Sequence, residues 1–420
     1  MVFKISLAGA FAQQNYWQQQ VDYSINVSLN DMEHSLTGFI KIHYTNHSPD
    51  TLRYIWFHVW PNAYKNDKTA FSEQMLENGN TKFYFSSPQQ KGFINQLDFR
   101  VNEARADIED HPEYLDIIKL ILPSPLVPEG QIVITTPFHV KLPDNFSRGG
   151  HAGQSYQVTQ WFPKPAVFDK KGWHAMPYLE QGEFYSELGN FEVAITLPRN
   201  YVVAATGELQ NEEEKQWLKT RSTFTWEAIR HRKKTKSGSY KTFKQLFPIS
   251  DSDTKTLLYK QANVPDFAWF ADKRFIVNYD TCALESGKII GVYSFYTPAG
   301  QSKWTNSMAY TKKAVRFYSQ SLGEYPFRNV SIVEGPPEMS GGMEYPTIAL
   351  IAAEKDKAIT ERIIAHEVGH NWFYGILATN ERSFPWMDEG MNSYYENRYT
   401  DAEKKTDTSW FDAGAFDRIS

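Results

Sequence analysis

The chain has 420 residues, a formal net charge of −5, 41% hydrophobic residues and 22% charged residues. This length allows two or three domains, each with its own hydrophobic core. With this slightly acidic net charge, nothing in the composition favours nucleic acid or an anionic membrane surface as the main partner. A single cysteine, Cys282, excludes an intrachain disulfide, and no segment after the N-terminus approaches the ~20 apolar residues of a membrane span.

The first twelve residues contain one lysine, a short apolar stretch and an Ala-x-Ala ending before Gln13. Residues 1–12 therefore resemble the end of a secretory signal peptide, shorter than usual. This pattern predicts export to the periplasm or the extracellular space. The alternatives are an unstructured start of the chain and a cytoplasmic location.

Residues 13–290 are predicted to form an N-terminal β-sandwich domain. Tyr23–Leu29, Gly38–Tyr44 and Phe191–Leu197 alternate apolar and polar side chains with a period of two, as strands with one buried face do. The basic run Arg230–Lys236 follows the acidic Glu212–Glu214, so we interpret it as an exposed loop and not as a nucleic-acid surface.

Residues 291–420 are predicted to form a mixed α/β domain. Ser302–Gly323 has apolar residues at three- and four-residue steps, which predicts an amphipathic helix. Asn329–Val333 and Thr347–Ile351 are predicted strands.

The motif His366-Glu367-Val368-Gly369-His370 carries the strongest chemical signal. Histidines at i and i+4 lie on one face of a helix, about 6 Å apart at Cβ, which suits two imidazole ligands on one metal ion. Glu367 points about 100° around the helix axis, so it is free to act as a general base. An apolar helix would not bury these three polar side chains without a compensating ion.

Glu389, in Trp386-Met387-Asp388-Glu389-Gly390, is predicted to supply a third ligand from a second helix. Two histidines and one glutamate leave the fourth tetrahedral position of Zn²⁺ open, which is the catalytic arrangement. The sequence therefore predicts one zinc ion per chain. Glu396 lies two turns after Glu389 and either hydrogen-bonds a ligand histidine or pairs with a surface base.

The zinc motif together with Gly341-Gly342-Met343-Glu344 resembles the aminopeptidase N and leukotriene hydrolase family of gluzincins. The resemblance implies a saddle-like β-sandwich followed by a thermolysin-like catalytic domain. It also implies that Gly341 and Gly342 run along the substrate and that Glu344 binds its free α-ammonium group. A charge-assisted hydrogen bond from a carboxylate is the physical means of recognising an ammonium group.

Three departures accompany the resemblance. Tyr345 replaces the family's asparagine after the glutamate, and Phe162 replaces an acidic residue that some members carry. The resemblance makes Gln160 a substrate contact, with a plain polar strand residue as the alternative. The family's oxyanion-stabilising tyrosine falls beyond Ser420, so we expect the catalytic domain to be truncated here and Tyr394, Tyr395 and Tyr399 to be packing residues.

These features predict a zinc metallopeptidase that removes N-terminal residues from peptides with a free amino group. Glu367 would act as the general base, with His366, His370 and Glu389 as the zinc ligands. The alternatives are a zinc endopeptidase or another zinc hydrolase on the same fold, and a non-catalytic binding or scaffold protein. Neither nucleic acid nor an integral membrane segment is expected.

Overall fold

The computed structural model describes residues 16–223, 247–336, 339–352 and 354–406. The signal-like segment 1–12 and the basic run Arg230–Lys236 lie outside these residues. Their predicted roles therefore stay predictions.

The N-terminal part of the chain is built on one large sheet. Its central strands form a hairpin in continuous antiparallel register, and every second side chain of the first strand, Gln20–Asn30, is buried. This burial is the alternation that the sequence predicts. In spatial order the sheet contains Glu208–Leu209, Thr254–Val264, Gly189–Pro198, Gln20–Asn30, Ser35–Thr45, Gln131–Lys141, Arg100–Val101 and Ala104–Arg105, with Phe93–Asn95 also paired to Gln131–Lys141.

Smaller sheets complete this β domain, and their apolar side chains join those of the large sheet in one core. One sheet orders Gly150–Ala152, Ser155–Val158, Trp269–Asp272 and Val202–Ala205. A second orders Lys164–Pro165, Leu52–His58, Ile117–Leu126 and Ile108–Asp110, and a two-stranded ribbon pairs Val167–Asp169 with Gly172–His174.

The second domain is built on a five-stranded sheet that mixes parallel and antiparallel pairs. Its order is Ile276–Ala283, Ile289–Tyr296, Asn329–Glu334, Ile348–Ile351 and Gly342–Tyr345. The predicted boundary at residue 290 stays a prediction, although this sheet already includes Ile276–Ala283. The order of a β domain followed by a mixed α/β domain is confirmed.

The described residues contain five α-helices. They are α1 (Ala70–Glu77), α2 (Glu212–Thr220), α3 (Ser307–Leu322), α4 (Lys357–Phe373) and α5 (Met391–Thr406). Short helical turns cover Trp60–Tyr64, Arg221–Thr223 and Trp386–Gly390, the last with π-helical geometry. Among the described helices, none has the length and apolar character that a membrane span requires.

Helix α4 occupies the centre of the second domain. It packs against α3, α5 and the strands Gly342–Tyr345 and Ile348–Ile351. Gly369 permits the close approach of α3 and α5, because a Cβ there would overlap Asn392 of α5 and would come within 2.7 Å of the Tyr318 ring of α3. The glycine of the metal motif therefore has a packing role in this fold.

Hydrogen bonds fix α4 to the sheet and the sheet to the β domain. Asn371, next to His370, accepts a hydrogen bond from the Thr347 backbone N–H at 2.9 Å. The Thr347 hydroxyl in turn accepts from the Gly207 N–H of the β domain at 2.7 Å. These buried hydrogen bonds connect the metal motif on α4 to the sheet of its own domain and to the β domain.

Candidate metal centre and active-site cleft

The two motif histidines project from one face of α4. The helix begins after Asp356, whose side chain accepts a hydrogen bond from the Ala358 N–H at 2.8 Å and so satisfies one of the free N–H groups of the first turn. One helical turn separates His366 from His370, and their Nε2 atoms lie 3.1 Å apart. Both nitrogens can therefore reach a single ion.

Glu389 lies in the π-helical turn Trp386–Gly390, directly before α5 and not within a regular α-helix. Its Oε2 lies 3.3 Å from His366 Nε2 and 3.9 Å from His370 Nε2. Ligands held about 2.0–2.1 Å from a tetrahedral zinc are about 3.4 Å from one another. The three donor atoms predicted from the sequence therefore fit a zinc ion.

Each histidine is held by a carboxylate on its other ring nitrogen. His370 Nδ1 lies 2.6 Å from Asp388 Oδ1, and His366 Nδ1 lies 2.8 Å from Glu396 Oε2. A proton on Nδ1 leaves the Nε2 lone pair for a metal, so these contacts select the ligand tautomer. For Glu396, the predicted contact with a ligand histidine is the one found, and it also pairs with Arg362.

Glu367 is buried beside the three donors. Burial is the largest cause that raises its pKa to about 8, the positive charge of His370 acts in the opposite direction, and Glu344 raises the pKa further. A Cβ on Gly342 would overlap the Glu367 carboxyl group, so only glycine leaves room for that carboxyl in its present place. Among the described residues, none hydrogen-bonds its Oε2 atom.

Glu344 lies on the strand Gly342–Tyr345, which together with the preceding Gly341 and residues of α4 lines a cleft of about 690 Å³. Glu344 is buried, and burial, followed by the negative charge of Glu183, raises its pKa above the usual range. Gly341 has φ +73°, which favours glycine, and its carbonyl accepts a hydrogen bond from the Ala352 N–H. Gly341, Gly342 and Glu344 thus share one cleft with the three metal donors and Glu367.

Gln160 is the predicted substrate contact that the structure does not bring to this cleft. Its side chain is buried, and its amide donates a hydrogen bond to Asp266 Oδ2 at 3.4 Å. It lines a separate small cavity with Trp60 and Tyr178. The backbone of Gln160 has a left-handed conformation, with φ +47°.

Two of the three α5 tyrosines, Tyr395 and Tyr399, occupy packing positions, as predicted. Tyr399 is buried and its hydroxyl donates to Glu361 at 2.8 Å, and Tyr395 packs on Phe373. Tyr394 is exposed. None of the three is among the residues that line the cleft in the described part of the chain.

Two groups of site residues were not predicted from the sequence. The first is Asp388, the partner of His370. Its position directly before the ligand Glu389 could have identified it from the sequence. The other is the β-domain wall of the cleft, which has no motif. That wall contains Asn80, Lys82, Asn145, Phe146, Ser147, Arg148, Glu180 and Glu183.

Comparisons with known proteins agree with this geometry. Residues 306–418 match the Peptidase family M1 domain. Leukotriene A-4 hydrolase of Xenopus laevis is 29% identical over 161 residues, a match that covers 37% of this chain and 25% of that protein. The matched segment thus spans about a quarter of the relative's length.

Solved structures show the same fold over nearly the whole chain. The M1 zinc metallopeptidase of Deinococcus radiodurans is similar over 92% of this chain and 71% of its own, with a TM-score of 0.56 and 16% identity. A mutant of that enzyme bound to a Tyr-Ser-Ala substrate gives a TM-score of 0.57 and 15% identity, over 92% of this chain and 72% of its own. These structures show a shared fold, and the match of residues 306–418 to the Peptidase family M1 domain agrees with the resemblance to the aminopeptidase N and leukotriene hydrolase family that the sequence predicts.

Proposed function

We propose that this protein is a zinc aminopeptidase, which hydrolyses the first peptide bond of substrates with a free amino group. The observation that carries the proposal is the position of Glu344 in the same cleft as His366, His370 and Glu389. A metal site alone is compatible with any zinc hydrolase. A buried carboxylate next to that site adds a means of recognising a terminal ammonium group.

His366, His370 and Glu389 would hold the zinc through Nε2, Nε2 and a carboxylate oxygen. When bound, zinc supplies Lewis acidity toward a substrate carbonyl and lowers the pKa of a water molecule toward neutrality. The three side chains come from α4 and the turn before α5, and Asp388 and Glu396 restrict the rotation of the two imidazole rings.

Glu367 takes the proton from the attacking water and returns it to the leaving amine. Its free Oε2 atom and its position beside the metal donors suit that role. A buried carboxylate with a pKa near neutrality can both accept and donate a proton at physiological pH.

Glu344 accepts hydrogen bonds from the substrate α-ammonium group, which places the first peptide bond at the metal centre. Gly341 and Gly342 allow the substrate backbone to approach the strand closely. Peptides with a free N-terminus are thus the proposed substrates.

The test combines metal analysis with turnover of paired substrates. We expect one zinc per chain, and hydrolysis of aminoacyl p-nitroanilides that is lost when the amino group is acetylated. A panel of substrates that differ in their N-terminal residue would then show which residue the enzyme prefers. Equal cleavage of free and acetylated substrates would favour an endopeptidase or another zinc hydrolase, and zinc binding without turnover would favour a binding protein.

A further inference from the structure

The third metal donor is held differently from the two histidines. Each histidine has a carboxylate partner on its Nδ1 atom. Within the described ranges, the Glu389 carboxylate lies within ion-pair distance of His366 and His370 and of no other base. Its side chain is also 42% exposed. The position of this donor therefore depends on the backbone that carries it.

Glu389 is connected to α4 through residues 374–385, which form turns and a loop. The Phe384 N–H donates to the Asn380 carbonyl at 2.9 Å, and the Glu389 N–H donates to the Pro385 carbonyl at 2.7 Å. Pro385 also restricts the backbone, because its ring fixes φ. A displacement of the turn at Asn380–Phe384 would therefore move the Glu389 carboxylate.

Arg382 joins this turn to the β domain. Its Nε donates to the Glu183 backbone carbonyl at 2.8 Å, and its Nη1 and Nη2 donate to the Pro177 carbonyl at 3.2 and 3.1 Å. Asn380 adds a contact, because its Nδ2 lies 3.3 Å from His174 Nδ1. One guanidinium group thus makes three hydrogen bonds between the domain that carries the metal donors and the β domain.

The acceptors of Arg382 are fixed within the β domain. Tyr178, which follows Pro177, is buried in a cluster of aromatic side chains, and its N–H donates to Asp116 Oδ2 at 2.7 Å. Gly182 lies so close that an added Cβ would be 3.1 Å from Arg382 Nε. The guanidinium has five N–H donors in one plane, so it can reach both carbonyls at once. A lysine ammonium, a point charge on a flexible stem, cannot reproduce this pattern.

We propose that Arg382 is a positioning residue for the metal site. By holding the turn at Asn380–Phe384 against the β domain, it keeps Glu389 where a zinc ion bound to the two histidines can use it. This inference rests on zinc binding at the proposed site, and it does not depend on which zinc hydrolase activity the protein has. The β domain then contributes to metal binding although it supplies none of the three donors.

The experiment measures the dissociation constant of zinc in the full chain by competition with a chelator. Arg382→Gln should weaken zinc binding about tenfold, and Arg382→Lys should have a smaller effect because an ammonium group can still reach one carbonyl. The control is Arg221→Gln. The buried Arg221 guanidinium also donates to backbone carbonyls, those of Lys273 and Phe275 at 3.2 and 2.9 Å, but it lies outside the cleft. Its substitution should leave the zinc dissociation constant within about twofold of the parent value.

Circular dichroism identifies the variants that fold. A parent-like zinc dissociation constant in folded Arg382→Gln would overturn the inference, and so would an equal loss in Arg221→Gln, because the effect would then reflect general destabilisation. If Arg382→Gln does not fold, Arg382→Lys should still bind zinc at least about threefold more weakly than the parent, and an unchanged value would also overturn the inference. A parent chain that binds no zinc would refute the proposed function itself, whereas a zinc-binding parent with unaffected Arg382 variants would refute this inference alone.

Discussion

The two walls of the cleft are built in different ways. The metal-binding wall takes its donors from one short stretch, from His366 on α4 to Glu389 in the following turn. The β-domain wall combines distant segments around Lys82, Arg148 and Glu183. The metal donors are thus set by local sequence spacing, while the opposite wall of the cleft depends on the fold of a whole domain.

The first prediction tests the metal-binding wall and has the largest expected effect. Glu367→Gln should reduce kcat/KM by about 10²–10⁴-fold, because it removes the proton acceptor without removing a metal ligand. Zinc content, measured by mass spectrometry on the same samples, should remain at one per chain. Normal turnover of this variant would contradict the general-base role.

Glu361→Gln is a matched control for that experiment. Glu361 also projects from α4, but it pairs with Lys313 and Tyr399 away from the cleft. Its substitution should leave kcat/KM within about threefold of the parent.

The second prediction concerns the residue that faces the β-domain wall. Glu344→Ala should lower kcat/KM about 10- to 100-fold for free-amine substrates, because a charge-assisted hydrogen bond is lost. N-acetylated peptides should be affected much less. Equal losses on both substrate types would assign a structural role to Glu344.

The third prediction separates the two histidine ligands. Asp388→Asn should weaken zinc binding about 10- to 100-fold, measured by competition with a chelator, because Asp388 is the buried partner of His370. Glu396→Gln should have a smaller effect, since His366 is 21% exposed and His370 only 1%. Water can replace part of the contact at His366. Weaker zinc binding by Glu396→Gln than by Asp388→Asn would contradict this account.

The fourth prediction concerns Gln160, a β-domain residue outside this wall, and has the smallest catalytic effect. Gln160→Ala should change kcat/KM by less than about threefold, because Gln160 lies outside the cleft. It should lower the free energy of unfolding by roughly 1–3 kcal/mol, because the buried Asp266 loses a hydrogen bond. A tenfold loss of kcat/KM at unchanged stability would restore the predicted substrate contact of Gln160.

The sequence alone determined the parts of the protein that depend on periodicity and fixed spacing. The alternation of apolar and polar residues in Gln20–Asn30 predicted the strand that the structure contains. The histidines at i and i+4, together with Glu389, predicted a donor set whose atoms lie within 4.8 Å of one another. Glu367, Gly342 and Glu344, which the sequence also singled out, line one cleft with these donors. These predictions succeeded because a helix or strand fixes the direction of neighbouring side chains without reference to the rest of the chain.

The tertiary structure alone decided which β-domain residues face the metal site. Gln160 has the residue type that the resemblance required, but its side chain is bonded to Asp266 and lines a separate cavity. Arg148 and Glu183 carry no motif, and they line the same cleft as Glu344 because the Asn145–Arg148 and Glu180–Glu183 segments fold beside the catalytic domain. Contacts between residues so far apart in sequence follow from the packing of whole domains, which no local pattern specifies.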